Sequence, residues 1–294
     1  MRVLEVNDND IYGKIFNGNL IMHELNKDNS FSVNQLVINK LSDDDNVKRL
    51  FNDNYEYAQL NYELSVLEHD ILSTHSLLTT STLFLKNNKY YKKSDLVHYH
   101  QIHNCKFSLS TLFEMAKTKP TIISLHDPWM LTGRCVHPLE CNKWRNGCIG
   151  CEKLSTIFDL PKDNCNELWK IKENIKDTDV DIIVHSKFMY DMVKECQYTK
   201  KLRVHLLPLA VNTNKYKSNI SKKAAKKKLN IFPSDLVIFF REQKEMKGTN
   251  YIVEALKKIE NKSNITILTC SQKGLLKDIE DEFNIIELGI IDEN

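Results

Sequence analysis

Short apolar runs recur along almost the whole chain, and helical spacing of apolar residues fills most of the gaps between them. Residues 1–6, 32–38, 95–100, 120–125, 180–184, 236–240, 264–268 and 285–288 read as strands. Helices are expected over 19–25, 54–73, 77–85, 109–117, 165–177, 187–196, 221–229, 249–259 and near 274–283, with Ser186 capping the helix at 187. Alternation of this kind has one economical solution, a parallel sheet wound by helices on both faces. The 54–73 helix has the clearest period: Tyr57, Leu60, Leu64, Leu67 and Ile71 form a stripe that predicts a core face.

A chain of 294 residues is long enough for two domains of ordinary size. Its charges nearly cancel, at +2, so nothing in the overall charge points to a nucleic-acid partner. No apolar run approaches the roughly 20 residues needed to cross a bilayer, and the chain is strand-like from its first residues, where a signal peptide would lie. The expected setting is the cytoplasm.

Chemistry concentrates after the run 120–125. That strand delivers His126 and Asp127 to its C-terminal end, the position where open parallel sheets bind ligands. Cys135, Cys141, Cys148 and Cys151 follow at once, spaced C-x5-C-x6-C-x2-C, with Gly147 and Gly150 allowing tight turns. Two readings stay open. The four thiolates can close a structural zinc site, with His137 as a substitute ligand, or they remain free thiols in a compact loop. Disulfides are disfavoured because nothing indicates export, and four thiolates leave no open position for a catalytic metal. A second cluster, His98, His100 and His103, ends the strand 95–100. Alternation puts His98 and His100 on one side and Tyr99 on the other, which favours a polar cleft lining over a metal site.

Two glycine turns complete the candidate list. Gly13 and Gly18 bracket Lys14 in the first strand-to-helix loop, without matching a dinucleotide fingerprint. Arg241, Lys247 and Gly248 lie between the strand 236–240 and the helix at 249. Two cations beside a helix N-terminus suit a diphosphate.

The segment Leu125-His126-Asp127, Trp129, Thr132-Gly133-Arg134-Cys135, Cys141-Asn142-Lys143-Trp144 and Gly147-Cys148-Ile149-Gly150-Cys151 resembles the cysteine-bearing branch of the family-4 glycosyltransferases, which includes colanic-acid-type and other polysaccharide-building enzymes. The resemblance implies the GT-B fold: two Rossmann-like domains facing a cleft that holds a UDP- or GDP-sugar. Domain one would span 1–205, with the cysteine insertion at 132–154, and a partial domain two 206–294. It implies a mostly retaining transfer of a hexose-type sugar to a saccharide or lipid-linked acceptor, needing no catalytic metal or other cofactor. His126 and Asp127 would attend the sugar, Gly18 would lie beside the acceptor and sugar phosphates, and Arg241 with Lys247 would hold the diphosphate at Gly248. The family spacing between those two cations is one residue shorter, so Lys244 could share the role.

Nothing after residue 288 resembles the family's carboxylate motif for sugar and ribose. A shortened, non-catalytic remnant or partner subunit is therefore the alternative. The lysines of 221–229 read as a solvated face, with contact to an anionic inner-membrane surface as the sharper reading.

Overall fold

The computed structural model describes residues 1–13, 16–51, 55–105, 107–152, 154, 158–214, 216–242, 248–271, 274 and 276–291. The chain divides into two compact units, Met1–Val211 and Asn212–Asn294.

The first unit holds seven strands: β1 (Arg2–Asn9), β2 (Ser32–Asn39), β3 (Val47–Arg49), β4 (Leu96–His100), β5 (Thr121–Leu125), β6 (Val180–Val184) and β7 (Arg203–Leu206). All pair in parallel, in the order β3-β2-β1-β4-β5-β6-β7. The order reverses between β1 and β4, the topological switch point at which such sheets open a crevice. Connecting helices are α1 (Asn19–Leu25), α2 (Tyr55–Val66), α3 (Ser81–Asn87), α4 (Lys89–Lys93), α5 (Leu109–Ala116), α6 (Cys165–Glu173) and α7 (Lys187–Glu195). One large core forms where β1, β4, β5 and β6 bury Leu4, Val97, Ile123 and Ile182 against Leu112, Phe113 and Trp169 of the helices. Ser186 does cap α7, accepting from the Met189 amide at 3.2 Å.

The second unit contains α8 (Lys222–Lys228), β8 (Leu236–Glu242), α9 (Thr249–Lys257), β9 (Ile265–Ser271) and β10 (Asn284–Glu287). Its parallel sheet runs β10-β9-β8, packed on Val253, Leu256, Ile267 and Leu276.

Four expectations need correction. The division between units falls at 211/212 rather than 205/206, because β7 pairs with β6 and a cut at 205 would sever that strand. The stripe on the 54–73 helix is not core: Tyr57, Leu60 and Leu67 are exposed and Ile71 is 67% exposed. From Leu67 the α-helix gives way to a π-helical turn, Leu67–Leu72, whose wider winding takes Ile71 off the 3.6-residue register, while Tyr57 and Leu60 lie on an exposed face of the regular α-helix. The helix near 274–283 is, among the described residues, only a 3-10 turn at Lys277–Ile279. The end of α3 and the whole of α4 fall within residues 86–93, outside every expected helix, with Asn88 capping α4 by accepting from Tyr90 N.

Candidate functional site

Five ionisable side chains from four adjacent strands meet at the switch point. Glu5 stands on β1 opposite His98 of β4, and His100 closes β4. His126 and His185 follow directly on β5 and β6, whose last residues, Leu125 and Val184, are paired. Parallel register therefore sets these two rings side by side, stacked with centroids 4.7 Å apart.

Their contacts form a branched network around one oxygen. Glu5 Oε2 lies 3.0 Å from His98 Nδ1 and 2.7 Å from His100 Nε2. His98 Nε2 meets Ser124 Oγ at 2.8 Å, and His100 Nδ1 meets His126 Nε2 at 3.3 Å. Burial opposes the Glu5 charge, but the two histidines outweigh it and hold the carboxyl down to about 2. Burial, reinforced by His98, lowers His100 to about 4 against the pull of Glu5. His126 drops to about 2, from burial first and then the neighbouring rings of His100 and His185. Its Nδ1 is buried with no hydrogen-bond partner. Every ring nitrogen of His98 and His100 is engaged, and both rings are buried inside the network.

The remaining predicted residues sort around this network. Gly18, at φ 81°, caps α1, and a Cβ there would sit 2.7 Å from Glu5 Oε2 and 2.8 Å from His100 Nε2. Its glycine is thus required by the close approach of the loop to the cluster. Asp127 caps the 3-10 turn Pro128–Leu131 by accepting from Trp129 N at 2.9 Å, and its other oxygen lies 3.5 Å from His103 Nε2. His103 consequently leaves the His98–His100 pair and joins Asp127.

In the insertion, Cys135, Cys141, Cys148 and Cys151 all line one cavity of about 390 Å³, together with His137 and a fifth cysteine, Cys165. Asp163 ties two of them by its carboxylate, which accepts from Cys151 N at 2.7 Å and from Cys165 N at 3.1 Å. Zinc holds thiolates at about 2.3 Å, so ligating sulfurs lie within roughly 4.6 Å of one another. No three of these sulfurs come within 4.8 Å of each other; among the described residues the one group of three that does is Glu5, His98 and His100. Burial also raises the Cys148 thiol to about 11 and pushes Cys135 up, so a metal would have to displace their protons. As placed, the thiols converge on a cavity without closing a tetrahedral site.

The fully buried Lys172 of α6 shapes this segment. Its ammonium donates to the carbonyls of Trp129 at 2.7 Å, Thr132 at 2.9 Å and Gly133 at 3.1 Å, and sits 3.5 Å from the centroid of the Trp129 ring. Burial lowers it to about 7. Trp169 Nε1 adds a bond to Trp144 O at 2.8 Å.

In the second unit Arg241 lies one residue before the end of β8 with an exposed side chain, and Gly248, at φ 76°, caps α9. Lys247 and Lys244 lie outside the described residues, as does Lys14 between Gly13 and Gly18.

Sequence reasoning missed Glu5, Lys172 and Cys165. The signals were faint: a carboxylate inside an otherwise apolar buried strand, a lysine on the apolar face of an amphipathic helix, and a cysteine remote from its group.

The sheets and their crossovers define a class, the parallel α/β fold of the GT-B glycosyltransferases. Within it, the chain superposes over its full length on 70% of Anabaena HepE, solved with UDP and glucose, at a TM-score of 0.61 and 12% identity. It likewise covers 71% of WaaG, a glycosyltransferase involved in lipopolysaccharide biosynthesis, at 0.58 and 9%. No family model matches. In sequence it is 28% identical over 80 residues to Escherichia coli K12 WcaC, described as a colanic acid biosynthesis glycosyl transferase. That match takes in 25% of this chain and 20% of WcaC.

Proposed function

We propose that the chain is a retaining glycosyltransferase that moves a hexose-type sugar from a nucleotide-sugar to a saccharide or lipid-linked acceptor in polysaccharide assembly. The observation that carries this reading is the half-buried, neutral His126 at the C-terminal end of β5 in a GT-B sheet. Binding of UDP-glucose by HepE supports a nucleotide-sugar donor. In this reading His126 faces the transferring sugar while Asp127, held by Trp129 N and His103, fixes the turn that follows. Arg241 and Lys247 neutralise charge developing on the diphosphate, aided by the α9 N-terminus at Gly248. Charge on the phosphate oxygens is met by side-chain cations, so the scheme routes no step through a metal. The cysteines belong to a structural zinc site in the same proposal, which requires the loop to draw its sulfurs inward. The lysines of α8, a helix with no buried residue, would meet anionic lipid. No helix among the described residues is long and apolar enough to cross a membrane.

The test is calorimetric titration of UDP, GDP and their sugars, followed by transfer assays of the chain and of His126→Ala. Binding of a nucleoside diphosphate with transfer abolished in His126→Ala is expected. Binding without any transfer by the unmodified chain would favour the partner-subunit reading, and no binding at all would sink the proposal.

A further inference from the structure

The contacts around Glu5 carry a direction. An ionised carboxylate can only accept, so both nitrogens facing Oε2 must carry protons: His98 Nδ1 and His100 Nε2. A neutral His98 is then bare at Nε2 and accepts from the Ser124 hydroxyl. A neutral His100 is bare at Nδ1, and the 3.3 Å contact to His126 Nε2 requires His126 to donate. His126, neutral in turn, is left without a proton on Nδ1. That atom is the one ring nitrogen of these three histidines with no partner among the described residues, and it is buried.

We propose that Glu5 is a positioning residue that acts through His100, fixing His126 as the Nε2–H tautomer and presenting its bare Nδ1 as an acceptor for a ligand hydroxyl. The inference rests on the glycosyltransferase reading only for the nature of that ligand. An unpartnered buried acceptor destabilises the folded chain, a penalty kept where a ligand relieves it. Every link comes from an adjacent strand. Glu5 is on β1 opposite His98, His100 ends β4 opposite Ser124, and His126 follows β5. Gly18 leaves no room for a side chain that could intervene between the carboxylate and His100. The rival arrangement is an ion pair in which His100 carries both protons, donates from Nδ1 to His126 Nε2, and leaves the His126 proton on Nδ1. The two arrangements make opposite statements about one atom.

Nitrogen-15 NMR of the histidine-labelled full chain separates them, because ring correlations report which nitrogen is protonated; His126→Ala serves only to assign the signals. At neutral pH the His126 ring should be protonated at Nε2 and bare at Nδ1, and Glu5→Leu should give a mixture of tautomers. Should Glu5→Leu not fold, the unmodified chain decides alone: a proton on His126 Nδ1, or a doubly protonated His100, would overturn the proposal. Where transfer is measurable, Glu5→Leu should lower kcat/KM about tenfold or more, since it changes whether His126 Nδ1 can accept from the ligand hydroxyl. An unchanged kcat/KM would also refute it. A chain with the stated tautomer that transfers no sugar would retire the glycosyltransferase reading and leave the tautomer chain standing.

Discussion

The histidine cluster and the cysteine cavity lie in one unit, His126 shortly before Cys135 along the chain, and both gather residues able to hold a metal. They are built in opposite ways. Glu5, His98, His100 and His126 come from three strands distant in sequence, yet they close to hydrogen-bonding distance. The cysteines at 135, 141, 148 and 151 are neighbours in sequence, yet their sulfurs stand apart around about 390 Å³. Parallel pairing dictates the first arrangement strand by strand, while the second depends on loop turns and on what packs beneath them. Close spacing in a sequence is therefore a weaker guide to convergence than a shared strand register.

The largest test of this contrast removes the support under the cavity. Lys172→Ala should cost roughly 4 kcal/mol, through a cavity and three lost hydrogen bonds to carbonyls, and lower the melting temperature. A near-neutral result would mean that the loop holds its own shape.

Acid is the next lever, and it acts on the histidine cluster. His100 titrates at about 4 when folded against an ordinary 6.5, so the unfolded chain binds more protons between those values. His126 is depressed as well, which adds the same sign from about pH 6.5 downward, and Glu5 adds it below about pH 4.5. Stability should be fully present above about pH 6.5 and fall by roughly 3 kcal/mol towards pH 4 from His100 alone. Urea melts across that range check this, and a flat profile would show the histidines charged in the folded state.

A smaller effect is expected at the thiols. Cys148→Ser should change stability by about 1 kcal/mol and, if zinc is bound, abolish a content near one metal per chain. Metal analysis of freshly reduced protein that finds none would leave the cysteines as free thiols. Smallest in stability is Arg241→Ala, an exposed change expected to stay within about 0.5 kcal/mol while weakening salt-sensitive diphosphate binding. Unaltered affinity would remove Arg241 from the donor site.

Much of the first unit was legible in the sequence. The run 120–125 with His126 and Asp127 at its end, the helix after Ser186, and the face shared by His98 and His100 all follow from local periodicity. Glu5 was not legible, because its importance arises only when β1 pairs with β4 and sets it opposite His98. The stripe from Tyr57 to Ile71 misled for the converse reason. Period predicts which side chains share a face, and says nothing about whether another element covers it. β3 was missed because the three residues Val47–Arg49 are too few to show a period.

Lys172 also bears on how this unit comes apart. The carbonyls of Trp129, Thr132 and Gly133 are held by a residue some forty positions later, on a helix that packs into the main core. The turn beyond His126 and the helix that pins it should then open as one cooperative piece, with α6 undocking and that turn losing its shape together. Amide exchange would report them with a shared protection factor, although they are separate segments of the chain. The turn that follows a strand-end histidine is in this way tied to the docking of a helix some forty residues further along the chain.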